Sequence, residues 1–97
     1  MQEYQYLHIS RRGDLAKIKP SKFDAFGRIP EPAIFVTTIA FVNYWKWWIG
    51  EGRKSLYLYG INTSPDFRIE EGEDGAEHGD FKIVTSEPVS ADFICRL

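Results

Sequence analysis

Ala33-Ile34-Phe35-Val36-Thr37-Thr38-Ile39-Ala40-Phe41-Val42-Asn43-Tyr44-Trp45-Lys46-Trp47-Trp48-Ile49-Gly50 is the stretch that decides the fold. The seventeen residues from Ala33 to Ile49 are mostly apolar, but Asn43, Lys46 and the Thr37-Thr38 pair interrupt them, and Pro32 and Gly50 bound them. A bilayer span needs about 20 apolar residues, so this is not one. The β-branched and aromatic run Ile34–Val36 predicts a short central strand. Thr37 or Thr38 then suits a helix N-cap, and Gly50 suits a left-handed C-terminal cap. Between them the sequence predicts a helix over about 39–49. Asn43 and Lys46, at i and i+3, form its one polar stripe. A helix this apolar is expected to be wrapped by protein: one side packs on the sheet and the other meets a loop, a partner or solvent, with a two-sided core as the first reading and a binding face as the alternative. Trp45 and Trp48 share a side at 100° per residue, and Trp47 lies roughly opposite.

Working outward, Tyr4 to Ile9 alternates apolar and polar residues, which predicts a strand with one buried face. Asp14 is placed to cap a short helical turn over Leu15–Ile18, stopped by Pro20. Residues 20–32 hold Pro20, Gly27, Pro30 and Pro32 and read as a loop anchored by Phe23, Phe26 and Ile29. Downstream, Leu56–Ile61 is a clear strand and Asn62–Asp66 a turn. Phe67–Ile69 is a short strand, Glu70–Gly79 a loop, Phe81–Thr85 a strand, and Ala91–Leu97 an edge strand. That order predicts an α+β fold: a mixed or mainly antiparallel sheet packed on one principal helix.

The chain has 97 residues, enough for one domain (1–97) and one modest core. Aromatic residues make up 15% of it, which excludes a wholly disordered chain. The single cysteine, Cys95, can form neither an internal disulfide nor a cysteine zinc site, and it reads as a small core residue. No metal site is expected from two histidines, His8 and His78. The first residues show no basic region followed by an apolar run, so the expected compartment is the cytoplasm.

The net charge of −2 conceals a split. Residues 1–58 carry nine bases and five acids, and residues 59–97 carry nine acids and three bases. Seven of those acids (Asp66, Glu70, Glu71, Glu73, Asp74, Glu77 and Asp80) lie within fifteen residues, opposed there only by Arg68. Such a run is either a solvated loop or a surface that presents carboxylates to a basic partner. Direct nucleic-acid binding through Arg11, Arg12, Lys17, Lys19, Lys22 and Arg28 is disfavoured, because the acidic half repels phosphate.

No phosphate-cradling glycine loop, His-Glu-x-x-His or Gly-x-Ser-x-Gly motif is present. His8 in Tyr-Leu-His-Ile-Ser, Thr37 after Ile-Phe-Val, and Glu87 in Ser-Glu-Pro-Val occur in that order. This resembles the strand order of small ADP-ribosyltransferase-like domains. The resemblance implies that His8 orients a nicotinamide dinucleotide and that Glu87 is the catalytic carboxylate. The chain departs from that family in having Thr37 where an aromatic is common, and in lacking a glycine-rich dinucleotide loop.

Size, single-domain organisation and the acidic C-terminal part also resemble the anti-CRISPR proteins, most closely the type I-F inhibitors that mimic double-stranded DNA. That likeness implies a non-enzymatic, cofactor-free monomer in a bacterial host cell. It would engage Cas subunits of a type I-F surveillance complex at the DNA-binding surface, with no direct contact to nucleic acid or membrane. The seven clustered acids would be the contact residues, because carboxylates meet the Lys and Arg side chains that grip phosphate. This inhibitor is the first reading of the sequence, and the ADP-ribosyltransferase-like domain is the alternative.

Overall fold

The computed structural model describes residues 4–24, 26–50 and 55–97. Eight strands form two four-stranded sheets, and every named pairing is antiparallel. The first sheet has the order β1 (Leu7–Ser10), β5 (Tyr57–Ile61), β8 (Val89–Arg96), β2 (Lys17–Ile18). The second has the order β3 (Ser21–Asp24), β4 (Gly27–Val36), β7 (Phe81–Val84), β6 (Arg68–Glu71). One helix, α1 (Val42–Gly50), follows a 3₁₀ turn at Ile39–Phe41. The α+β class, mainly antiparallel with one principal helix, is therefore what the chain adopts.

The alternating strands explain the layers. Ile34, Val36 and Ile83 of the second sheet meet Tyr59, Ile61, Val89 and Ala91 of the first, with Ile18, in one buried cluster. Tyr59 is fully buried, yet its hydroxyl donates to the Arg12 carbonyl at 2.6 Å and accepts from the Leu15 amide at 3.2 Å. A second cluster joins Leu7, Ile9, Leu56 and Leu58 to Val42 of α1, with Trp45 and Ile49 packed against it. The sheets are stitched at one corner: Leu7 and Thr37 exchange two backbone hydrogen bonds of 2.8 Å.

Several local expectations are corrected. The first strand begins at Leu7, three residues later than the alternation suggested. Residues 15–18 are not helical, because Tyr59 holds Leu15 from below and Lys17–Ile18 pair with Ser90–Val89. The stretch expected to be a loop instead contains two strands: Ser21–Asp24 pairs in antiparallel with β4, which begins at Gly27, with a register shift between Ser21 and Phe23. Ile29 is buried as expected, but Phe23 and Phe26 are exposed. Strand β8 lies between β5 and β2 in the sheet order, but β2 pairs only with Val89 and Ser90, so among the described residues 91–96 have β5 as their one paired strand, as the expected edge would. Cys95 on β8 is exposed rather than in the core.

The helix is corrected on one side only. Thr38 occupies the cap position of the 3₁₀ turn without a side-chain cap bond, and its carbonyl accepts from the Phe41 amide. Val42 packs inward, while Trp47 and Trp48 are 66% and 56% exposed, so α1 is not wrapped all round. The two exposed rings meet each other edge to face, with centroids 5.2 Å apart. Among the described residues no helix is long and apolar enough to cross a membrane.

Candidate functional site

The corner where β1 meets the end of β4 opens into a pocket of about 250 Å³. Its floor is apolar, with Leu7, Ile9 and Val36, and its walls carry Phe26, Phe35, Trp45 and Ile49. Two polar side chains sit among them. His8 is held by its Nδ1, which donates to the Phe35 carbonyl at 2.7 Å. A carbonyl only accepts, so Nδ1 carries a proton, and in the neutral ring Nε2 is left as an acceptor. Burial pushes the His8 pKa below its ordinary value, and the Phe35 carbonyl pulls only partly the other way. Thr37 is only 4% exposed, and among the described residues its Oγ1 has no hydrogen-bond partner. A buried hydroxyl without a partner is costly, and such atoms concentrate where a ligand group completes them.

The pocket's rim is acidic. Asp24, Glu73, Asp74 and Asp80 line it, and among the described residues no Lys or Arg does. The register explains Asp80. Val36 pairs with Phe81, so the next step along both strands sets Asp80 level with Thr37. Burial raises the Asp80 pKa, and nearby Asp74 and Asp24 add to the rise. The Asp74 amide and Lys82 oppose it. The loop itself is tied by its own carboxylates. Asp80 Oδ2 accepts from the Asp74 amide at 2.9 Å, and Glu71 Oε1 accepts from the Ala76 amide at 2.7 Å. The loop is also pinned to the helix. Trp45 Nε1 donates to the His78 carbonyl at 2.7 Å, and Tyr44 stacks on the His78 ring. Arg11 reaches the Ile49 carbonyl at 3.3 Å, which puts a cation beside a wall residue of the pocket.

The seven clustered acids therefore separate into groups. Glu73, Asp74 and Asp80 enter the pocket rim. Glu70 is paired with Arg68 at 2.7 Å, and Arg68 also reaches Glu31 at 2.8 Å. Glu71 serves the loop backbone, while Asp66 and Glu77 are exposed away from the pocket lining. Of the alternative pair, His8 lies in the pocket and Glu87 does not. Glu87 is exposed in the turn after β7, with its amide on Thr85 Oγ1. The four residues of β7, about 13 Å of extended chain, and then Thr85 and Ser86 separate it from Asp80. Asp80, not Glu87, lines the pocket together with His8. Among the described residues no group of three or more His, Cys, Asp or Glu side chains is placed to hold a metal ion.

Sequence reasoning missed Asp24, Phe26 and the pocket role of Asp80. For Asp80 a signal was available. It immediately precedes a predicted strand, and the register Val36↔Phe81 is what sets it beside Thr37. Compared with protein-family models, with curated proteins and with solved structures, the chain gives no match.

Proposed function

We propose that this chain is a nicotinamide-dinucleotide-binding domain of the ADP-ribosyltransferase-like kind, with its ligand site in the His8 pocket. One observation carries the reading. His8, Thr37 with its unpartnered buried hydroxyl, and Asp80 all line one cavity that Phe26, Phe35 and Trp45 also line. These groups fit the nicotinamide-ribose half of such a ligand. His8 Nε2 accepts from a ribose hydroxyl, Thr37 Oγ1 gains the partner it lacks, and Trp45 and Phe35 supply faces for the ring. The cavity of about 250 Å³ is smaller than the usual ligand pocket of roughly 300–1,000 Å³, so it suits one half of a dinucleotide rather than the whole. The carboxylate rim repels a pyrophosphate, and Arg11 is the described cation beside the Ile49 wall that could receive one.

When bound, the dinucleotide supplies a ribosyl carbon that carries nicotinamide as its leaving group. The chain's own residues do the rest. Neutral His8 holds a hydroxyl in place, and the apolar floor excludes water. Asp80 keeps a negative charge fixed in a half-buried site where positive charge develops. The test is incubation with radiolabelled dinucleotide, following both transfer of label and release of nicotinamide. Transfer or release that disappears in His8→Ala and Asp80→Asn but survives in Glu87→Ala supports the reading. Activity lost in Glu87→Ala and kept in Asp80→Asn would sink it.

A second reading keeps the non-enzymatic inhibitor of a type I-F surveillance complex. The observation in its favour is that Asp66, Glu73, Asp74 and Glu77 are all exposed. Exposed carboxylates can meet a basic groove in place of DNA. Target-duplex binding by the surveillance complex, measured with and without this protein at two salt concentrations, tests it. Salt-sensitive loss of DNA binding, abolished by reversing Glu70, Glu71 and Glu73 to Lys, supports the decoy. Undiminished DNA binding removes it.

A further inference from the structure

We propose that copies of this chain associate head to tail, with β6 of one copy pairing in antiparallel with β3 of the next, so that the second sheet runs on across the contact. The inference goes beyond the ligand reading and is independent of it, because it concerns the two edges of that sheet. In the order β3-β4-β7-β6 the outer strands are β3 and β6, and among the described residues each has a partner strand on one side only. An unpaired edge is a template for another strand.

Length and direction match. Each of the two strands has four residues, and with every pairing antiparallel β3 and β6 run in opposite directions. A copy shifted sideways in the plane of the sheet therefore sets its β3 antiparallel to β6 without being turned over. The side chains match as well. Ser21-Lys22-Phe23-Asp24, laid in reverse against Arg68-Ile69-Glu70-Glu71, places Lys22 opposite Glu70, Phe23 opposite Ile69 and Asp24 opposite Arg68. Two opposite-charge pairs then flank one apolar pair. Among the described residues no ion pair already engages Lys22, and Phe23 is 59% exposed.

The faces agree with this register. Ile69 pairs with Ile83, and Ile83 with Ile34, so all three share the face that meets the first sheet. Phe23 pairs with Arg28, which lies six residues before Ile34 on β4, an even step that keeps it on the same face. Asp24 lies on the opposite face and lines the pocket with Phe35, so pairing also brings Arg68 of the next copy to the pocket's rim.

The backbone agrees too. The Gly72 amide donates to the Asp80 carbonyl, so alternation turns the backbone groups of Ile69 and Glu71 to the open edge of β6. On β3 the Phe23 amide donates to Ser21 Oγ at 3.1 Å, and the same hydroxyl donates to the Phe23 carbonyl at 2.9 Å. A side chain there occupies groups that an added strand would take over. Phe23 and Ile69 thus offer their backbone groups at the position where their side chains also meet. A two-fold contact of β6 with β6 would instead set two acidic edges together.

The experiment is sedimentation velocity over a concentration series, with a reductant present because Cys95 is exposed. A head-to-tail contact builds open chains, so the mass of the wild-type protein is expected to keep rising with concentration and to fall with added salt. Lys22→Glu and Glu70→Lys should each weaken association about tenfold, because each sets like charges face to face. Mixed in equal amounts, the two variants should associate as the wild type does, since copies that alternate join an acid to a base at every contact. Circular dichroism checks that each variant is folded. A wild-type chain still monomeric at about 1 mM would overturn the inference. So would association indifferent to Lys22→Glu, which a β6–β6 contact requires, or a mixture no more associated than its two components.

Discussion

The corner between β1 and β4 and the loop over residues 72–80 face each other across one pocket, yet different forces hold them. The corner is built on burial: Leu7, Ile9, Ile34 and Val36 are all nearly inaccessible, and the backbone there exchanges hydrogen bonds between sheets. The loop contributes no buried large side chain. It is shaped by carboxylates that accept from its own amides and is fastened by two ring contacts to α1. The difference teaches that one wall of the site is set by the global fold, whereas the other is set locally and can open at little cost.

The largest expected effect tests the first half of that contrast. Ile34→Ala empties a site that is 1% exposed and should lower stability by about 2–5 kcal/mol in denaturant unfolding. A cost below about 1 kcal/mol would mean that the corner is not the rigid wall. Thr37→Val should act in the opposite sense. It removes the unpartnered hydroxyl at nearly constant shape and should stabilise the ligand-free chain by about 1–3 kcal/mol. The same change should weaken dinucleotide binding; a variant that is destabilised instead would show that Oγ1 is already satisfied.

Trp45→Phe keeps a ring in the wall but deletes the bond to the His78 carbonyl. It should cost about 1 kcal/mol and raise amide exchange in residues 72–80 before it does so in β1 or β4. Equal acceleration in both regions would erase the distinction between them.

The pH response separates the two walls further. His8 is held below its ordinary value of 6.5 by burial. The unfolded chain therefore takes up a proton near pH 6.5 that the folded chain accepts only at lower pH. Stability from this source is complete above that value and declines as pH falls below it, and the decline should vanish in His8→Gln. Asp80 acts in another window. Its folded pKa is raised above 3.8, mainly by burial, so its contribution is lost as pH rises from that value through the folded one. The smallest effect is expected on the outer face of α1, where Trp47→Ser should change stability by no more than about 0.5 kcal/mol.

Legibility in the sequence follows the same division. Ile34–Val36, the helix after Thr38 and the strand at Tyr57–Ile61 were readable because periodicity and β-branching report burial, and burial holds these elements. His8 and Thr37 were readable as a pair only through order along the chain. The hydrogen bonds that join residues 7 and 37 have no local sequence signal. Residues 21–24 and 27–33 looked like a loop because Pro30 and Pro32 argue against a ladder, and a register shift in the hairpin accommodates the irregularity. The exposed Trp47 and Trp48 misled in the other direction, since apolar character alone does not say which face of a helix is covered. The division of the seven acids into loop ties, an ion pair and a pocket rim depends on the β4–β7 register, which composition does not reveal.

The position of β8 between β5 and β2 has a consequence for how the chain is made. Among the described residues strand β2 pairs only with β8, so some seventy residues must follow it from the ribosome before Lys17–Ile18 can pair. Until then β5 also shows one unsatisfied edge, and the apolar side chains of the first sheet wait uncovered. During synthesis the nascent chain is therefore a client for holding chaperones. A fragment ending before Val89 is expected to aggregate rather than fold, even though it retains every residue of the pocket.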